Sequence, residues 1–196
     1  MITDLGPDGA TATFNDARTH RFALQRIIDP RQPDNACCFV MLNPSTADAF
    51  KLDPTLKRCA QFALRWGFGS MLIVNLFALR SPHPEDLVAG ARIPGYPPRL
   101  RADAIDPLGE AGLNDAAIVE AVRRACRVVC AWGNHGVLGV RWRAVHALIR
   151  EHAEDVIDDG PCEIVRLGVT GGGQPIHPLA RGKHRVPDDV VPAVWR

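Results

Sequence analysis

Two stretches of the chain are apolar with almost no polar alternation, and each stops abruptly in small or polar residues. Residues 37–42, Cys-Cys-Phe-Val-Met-Leu, run into Asn43-Pro44-Ser45, and residues 71–79 carry a single amide, Asn75, before Arg80-Ser81-Pro82. Runs of this kind predict strands covered on both faces, as in a parallel sheet flanked by helices. Two further strand-like runs follow, 127–132 ending at Gly133-Asn134-His135-Gly136 and 162–167 ending at Gly168. Between the strands the period becomes helical. Leu56, Cys59, Ala60, Phe62, Ala63 and Trp66 recur at helical spacing behind Asp53-Pro54, a helix start, and ahead of Gly67 and Gly69, a helix stop. Ala117, Ile118, Ala121, Val122 and Ala125 form a second apolar face, with Asn114 as the expected N-cap, and residues 142–151 form a third.

Strands alternating with helices predict an α/β fold. The expected architecture is a three-layer α/β/α domain spanning 1–196, with a mainly parallel four-stranded central sheet. Residues 10–28 read as an N-terminal hairpin, two β-prone pieces around Asn15-Asp16-Ala17-Arg18. Its Arg18, His20, Arg21 and Arg26 suit a solvated face, or alternatively a phosphate-facing one. A short helix is expected over 85–89, and the proline-bearing stretch 90–110 reads as a long surface loop. Three consecutive glycines, 171–173, predict a flexible turn, since no Gly-Lys-Ser/Thr follows them. Residues 180–196 read as a C-terminal tail.

Composition narrows the function classes. With 23 basic and 22 acidic residues the formal net charge is +1, which excludes a strongly basic nucleic-acid binder but permits a local patch. None of the six cysteines forms a Cys-x-x-Cys pair, so buried reduced thiols are expected rather than a metal site. No leader-like segment and no run of about 20 apolar residues is present, and a cytoplasmic protein without membrane contact is the expectation.

In open α/β sheets, ligands bind beyond the carboxyl ends of the strands. There the chain places Asn43 with Ser45, Thr46, Asp48 and Phe50, then Asn75 or Arg80, then Asn134 with His135, and finally the segment holding His177. Amides and histidines predominate. No Ser-His-Asp spacing, paired catalytic carboxylates or His-x-x-x-His helix accompanies them, so the set suits a planar polar ligand. Lys57 and Arg58 on the first helix, with Arg181 and Lys183 near the end, are candidate phosphate contacts.

Two resemblances extend this reading. Met41-Leu-Asn-Pro-Ser-Thr-Ala-Asp48, Asp53-Pro-Thr, Trp66-Gly-Phe-Gly, Val74-Asn-Leu-Phe-Ala-Leu-Arg80, Asp106-Pro-Leu-Gly, Ala131-Trp-Gly and His177-Pro-Leu closely resemble a bacterial and phage family catalogued as a domain of unknown function. More distantly, Leu42-Asn-Pro-Ser45, Val74-Asn-Leu76 and His177-Pro-Leu-Ala180 resemble, in order and rough spacing, three motifs of the uracil-DNA glycosylase superfamily. Leu42 stands where that superfamily usually has glycine, and Phe50 is the nearest match to its base-stacking aromatic. The cysteines of its iron–sulfur branch are missing, so no cofactor is implied.

The second resemblance implies a glycosylase-like fold and a nucleobase or nucleotide ligand, in nucleic acid such as DNA or free. It further implies hydrolysis of the N-glycosidic bond of a modified or deaminated base, with Asn43 orienting water and His177 stabilising the departing base. Asn75 would read the base edge. Two alternatives stay open: a non-catalytic nucleic-acid or nucleotide sensor using the same pocket, and a hydrolase or transferase of a small phosphorylated ligand built on Asp48, Asp53 and His135.

Overall fold

The computed structural model describes residues 1–83, 87, 112–153 and 162–195, with backbone alone for 138–140. Among them the chain forms eight strands, β1 (Ile2–Leu5), β2 (Thr11–Phe14), β3 (Arg21–Ile27), β4 (Ala36–Met41), β5 (Ser70–Asn75), β6 (Ala125–Cys130), β7 (Glu163–Arg166) and β8 (Ala193–Val194). Three α-helices join them, α1 (Pro54–Arg65), α2 (Leu113–Arg123) and α3 (Arg141–Ala153). The expected helix over 85–89, apart from the buried helical Leu87, and the expected loop over 90–110 lie outside the described residues.

The fold is α/β, and its sheet is larger than the four strands expected: eight strands in the order β1-β2-β3-β5-β4-β6-β7-β8. The pairs β5–β4, β4–β6 and β6–β7 are parallel, while β1–β2, β2–β3, β3–β5 and β7–β8 are antiparallel, so the sheet is mixed. The 10–28 hairpin does not stand apart. Its second strand, β3, pairs with β5 and its first, β2, with β1, so both lie within the sheet.

β4 and β5 are buried along their whole length, as unbroken apolar runs require. Alternate residues then serve two cores. Cys37, Phe39 and Met41 pack with Leu56, Cys59, Phe62 and Ala63 of α1 on one face. Ala36, Cys38 and Val40 pack with Ile118 and Val122 of α2 and Val145 and Ile149 of α3 on the other. α1 begins as expected, with Asp53 Oδ1 accepting the Leu56 N–H at 2.9 Å and Pro54 at the first helical position. It stops before Gly67, whose φ of 86° suits glycine.

Two expectations fail in instructive ways. Asn114 is not the N-cap of α2, a place taken by Gly112 at φ 83°. It is buried instead, and its Nδ2 donates to the carbonyls of Asn75 and Leu76, both at 3.1 Å. The described part of the 180–196 tail, residues 180–195, is tied to the core. Val186 is buried, Arg58 donates to its carbonyl at 2.9 Å and ion-pairs Asp188, and the Trp66 indole N–H donates to the Val190 carbonyl at 3.1 Å. Trp195 then packs on His146 and Trp132 at centroid distances of 4.4 and 5.1 Å. Aromatic anchors held this segment to the core, a signal that short-range polarity concealed.

Asn114 ties α2 to the exit of β5, so its truncation tests that tie. Asn114→Ala should lower the unfolding free energy by about 1–3 kcal/mol, seen as a lower urea midpoint at unchanged slope. A loss below about 0.5 kcal/mol, the range of ordinary surface substitutions, would show the two hydrogen bonds to be dispensable.

Candidate functional site

The strand order creates a switch point. From β4 the chain crosses by α1 to β5 on one side, and from β6 it crosses by α3 to β7 on the other, with α1 and α3 on opposite faces. A crevice opens beyond the carboxyl ends of two neighbouring strands when their connections leave in opposite directions. Here those strands are β4 and β6. A cavity of about 600 Å³ occupies that place, lined by residues 41–43 at the end of β4, residues 132–135 after β6, residues 53–56 at the start of α1, and His177. Its size falls in the range of small-ligand sites.

Several expected site residues meet there. Asn43, Ser45, Thr46, Asn134, His135, His177 and Arg181 all line the cavity. The others sit elsewhere. Asp48 folds back on its own turn, its Oδ1 accepting the N–H groups of Phe50 and Lys51 at 2.8 Å each. Burial raises its pKa, but those donors, with Arg80 and Arg26, hold it below the ordinary carboxylate value. Phe50 is 65% exposed and absent from the wall. Asn75 is buried outside it, and Arg80 belongs to an adjoining cavity of about 370 Å³ with Arg18, the two spaces sharing Ser45, Thr46, Ser81 and Pro82. Lys57, Arg58 and Lys183 lie off the cavity wall, Arg58 being engaged with Asp188 and Val186.

Local structure fixes how the meeting residues present themselves. The Asn43 amide nitrogen donates to the Ser81 carbonyl at 2.9 Å and to that of Pro44 at 3.2 Å, with Leu79 further off at 3.4 Å. Three surrounding carbonyls dictate which end of the amide is the nitrogen, which leaves Oδ1 as the acceptor for a ligand. Asn134 is held by the 168–176 turn, where the Thr170 hydroxyl donates to its Oδ1 and also accepts the Gln174 N–H at 3.1 Å. The triple glycine is thus a closed turn around Thr170. Trp132 is fixed from behind by its indole N–H donating to Gln174 Oε1 at 2.8 Å. Gly136 is required beside it, because a Cβ there would lie 2.0 Å from the Trp132 ring.

His177 is held in one tautomer. The Leu179 N–H donates to its Nδ1 at 3.2 Å, so the proton of the neutral ring sits on Nε2, making that atom a donor. Burial lowers its pKa, and Asp53 opposes the shift without cancelling it. The ring is therefore neutral at pH 7.

Two further cavity residues entered the sequence reading only in other settings. Asp53, read as the start of α1 and as part of the alternative phosphorylated-ligand set, is the only carboxylate among the described residues lining the cavity. Arg21 also lines it while being only 2% exposed. Counting alternation back from Leu24 puts Arg21 on the opposite face. The β2–β3 register slips there, with Thr13 opposite Ala23 and Phe14 opposite Arg21, so Phe22 is the extra residue of a bulge. Such bulges re-aim a side chain, and the sequence signals them weakly.

Among the described residues no group of His, Cys, Asp and Glu is placed to hold a metal ion. All six cysteines are unpaired, and burial raises the pKa of Cys37, Cys38, Cys59, Cys130 and Cys162. No described helix is long and apolar enough to cross a membrane. The family described as "Protein of unknown function (DUF1643)" matches residues 21–179. No curated protein and no solved structure matches the chain.

The His177 geometry has a pH consequence. As pH falls the unfolded chain, with an ordinary imidazole near 6.5, takes up the proton before the folded one does. Stability associated with His177 is therefore intact above about pH 6.5 and is lost below it until the folded-state pKa is passed. An NMR titration of the His177 ring should give a midpoint below 6.5. A midpoint at or above that value would remove the neutral-donor assignment.

Proposed function

The chain belongs to the DUF1643 family, a family of unknown function, and on that premise we propose that its cavity binds a nucleobase or nucleotide within a glycosylase-like, three-layer fold. We infer further that it hydrolyses the N-glycosidic bond of a modified or deaminated base in DNA. One observation carries this reading. Asn43 and His177 are 134 positions apart in the chain, come from opposite ends of the parallel strands' sequence, and line one cavity at the switch point with Asn134 beside them. Those are the first and third of the three motif positions that resemble the uracil-DNA glycosylase superfamily.

The chemistry follows from the groups present. Breaking an N-glycosidic bond builds positive charge on the sugar and negative charge on the departing base. The His177 Nε2–H, neutral and fixed, is a donor suited to a base carbonyl as that negative charge grows, an electrostatic contribution of the oxyanion-hole kind. Asn43 Oδ1 suits orientation of a water, and the Asp53 carboxylate is the cavity group that can accept its proton. Asn75 lies outside the cavity, so reading of the base edge passes to Asn134, whose Oδ1 is engaged by Thr170 and whose amide N–H groups are left to donate to a ligand.

A second reading is favoured by Asn43 itself. Its amide nitrogen secures the 79–81 loop through backbone carbonyls, a structural duty that serves a binding pocket as well as an enzyme. On this reading the protein is a nucleotide or nucleic-acid sensor and leaves the bond intact.

Incubation with labelled single- and double-stranded oligonucleotides carrying uracil, hypoxanthine or 5-hydroxymethyluracil, followed by alkali, separates the two. Cleavage at one base is expected, and His177→Ala should reduce its rate by about 10²–10³-fold with the fold retained. Binding without abasic product would establish the sensor. Neither binding nor cleavage, with free bases and nucleotides equally inert, would end the nucleobase reading.

A further inference from the structure

The Arg21 guanidinium is fully buried, yet its surroundings satisfy it only in part. Nη1 donates to the Ala47 carbonyl at 2.9 Å and Nη2 reaches Asn75 Oδ1 only at 3.5 Å, while Nε is buried without a partner. Among the described residues no carboxylate forms an ion pair with it. Two neighbouring atoms also lack partners, Asn75 Nδ2 and Asn114 Oδ1, but they are donor and acceptor on side chains already linked through the Asn75 carbonyl. Arg21 Nε has no such counterpart. A charge taken out of water without pairing is costly, so an unpaired buried arginine on a cavity wall asks for an anion from outside the chain.

The rest of the wall has matching chemistry. Ser45, Thr46 and Thr55 bring hydroxyls to the cavity, and Arg181 brings a second guanidinium. Asp53 and Asp48 act against an incoming anion; burial of Arg21, with Arg80 nearby, already lowers its pKa to about 10, which leaves it charged at pH 7. Hydroxyls and guanidinium forks together suit the several acceptor oxygens of a phosphate.

We propose that Arg21 is the centre of a phosphate-binding subsite inside the cavity, so that the ligand enters with a phosphate group rather than as a neutral base alone. This rests on the nucleotide reading above and narrows it to phosphorylated ligands. The phosphate can come from a mononucleotide or from the diester backbone of a nucleic acid.

The test compares uridine, uridine 5′-monophosphate, ribose 5-phosphate, inorganic phosphate and a short oligouridylate without terminal phosphates, by calorimetry on the whole protein. The monophosphate should bind about tenfold or more tighter than uridine, as charge-assisted hydrogen bonds predict. Arg21→Met should erase that advantage, the monophosphate then binding no tighter than uridine. Because a buried substitution can unfold the chain, arginine-labelled wild-type protein is titrated with inorganic phosphate in parallel. One Nε–H resonance, missing from Arg21→Lys, should shift. Equal binding of uridine and its monophosphate with that resonance unmoved overturns the proposal, as does an advantage that survives Arg21→Met. Ribose 5-phosphate binding as tightly as the monophosphate would keep the subsite and reject the nucleobase. Tighter binding of the oligouridylate than of the monophosphate would assign the phosphate to a nucleic-acid backbone.

Discussion

Everything at the candidate site depends on β4 being paired in parallel on both edges. Its six residues are all buried, and its ladder continues one step beyond the strand: the Ala131 N–H donates to the Val40 carbonyl, and the Leu76 and Phe77 N–H groups donate to those of Met41 and Leu42, all at 2.8–2.9 Å. The ends of β4, β5 and β6 are thereby locked at nearly one level. Past Leu42 the ladder cannot go on, because Pro44 has no N–H to give. Three chain segments must then diverge from one line, and the opposite faces taken by α1 and α3 open the space between two of them. The cavity is a consequence of topology before any of its side chains is considered.

That dependence explains what the sequence makes legible. Strands buried on both faces carry no alternation, and their abrupt polar ends are visible in Asn43-Pro44 and Gly133-Asn134. Since the cavity opens at those ends, the place of Asn43, Asn134 and His135 on its wall could be read from position alone. Asp53-Pro54 marked α1 for equally local reasons. What stayed hidden is tertiary. β8 is two exposed residues held by the packing of Trp195, and β1 alternates too weakly to announce itself. Asn114 has the composition of a cap but the duty of a clamp on β5. Asn75 resembles a base reader in sequence, yet its Oδ1 faces Arg21 and its carbonyl faces Asn114. Arg21 was legible as one of a basic set on the hairpin, but its burial on the cavity wall was not. A one-residue bulge decides its face, and no period in the sequence encodes the bulge.

The buried polar residues behind the cavity then form a chain of support rather than a set of contacts. Arg141 donates to the Leu76 carbonyl at 3.0 Å and ion-pairs Asp115, while Asn114 grips the same carbonyl and that of Asn75. Asn75 in turn is the only side chain among the described residues that meets the Arg21 guanidinium by a hydrogen bond. α2 and α3 sit on the face of the sheet away from α1, yet through this chain they set the position of a charge that opens on the α1 side. The exit of β5 is the bridge between the two faces.

Asp53 shows why the helix and the cavity cannot be separated. As an N-cap it is replaceable in principle, since Ser or Asn caps a helix about as well. What only a carboxylate adds is charge, and among the groups that feel it are Arg21 and His177, whose protonated forms it favours against the burial that disfavours them. The capping bond to the Leu56 N–H holds that charge at the mouth of α1, where the positive end of the helix favours it as well. An anion at the proposed Arg21 subsite would feel the same carboxylate, so Asp53 opposes it for the very reason that it keeps the guanidinium charged.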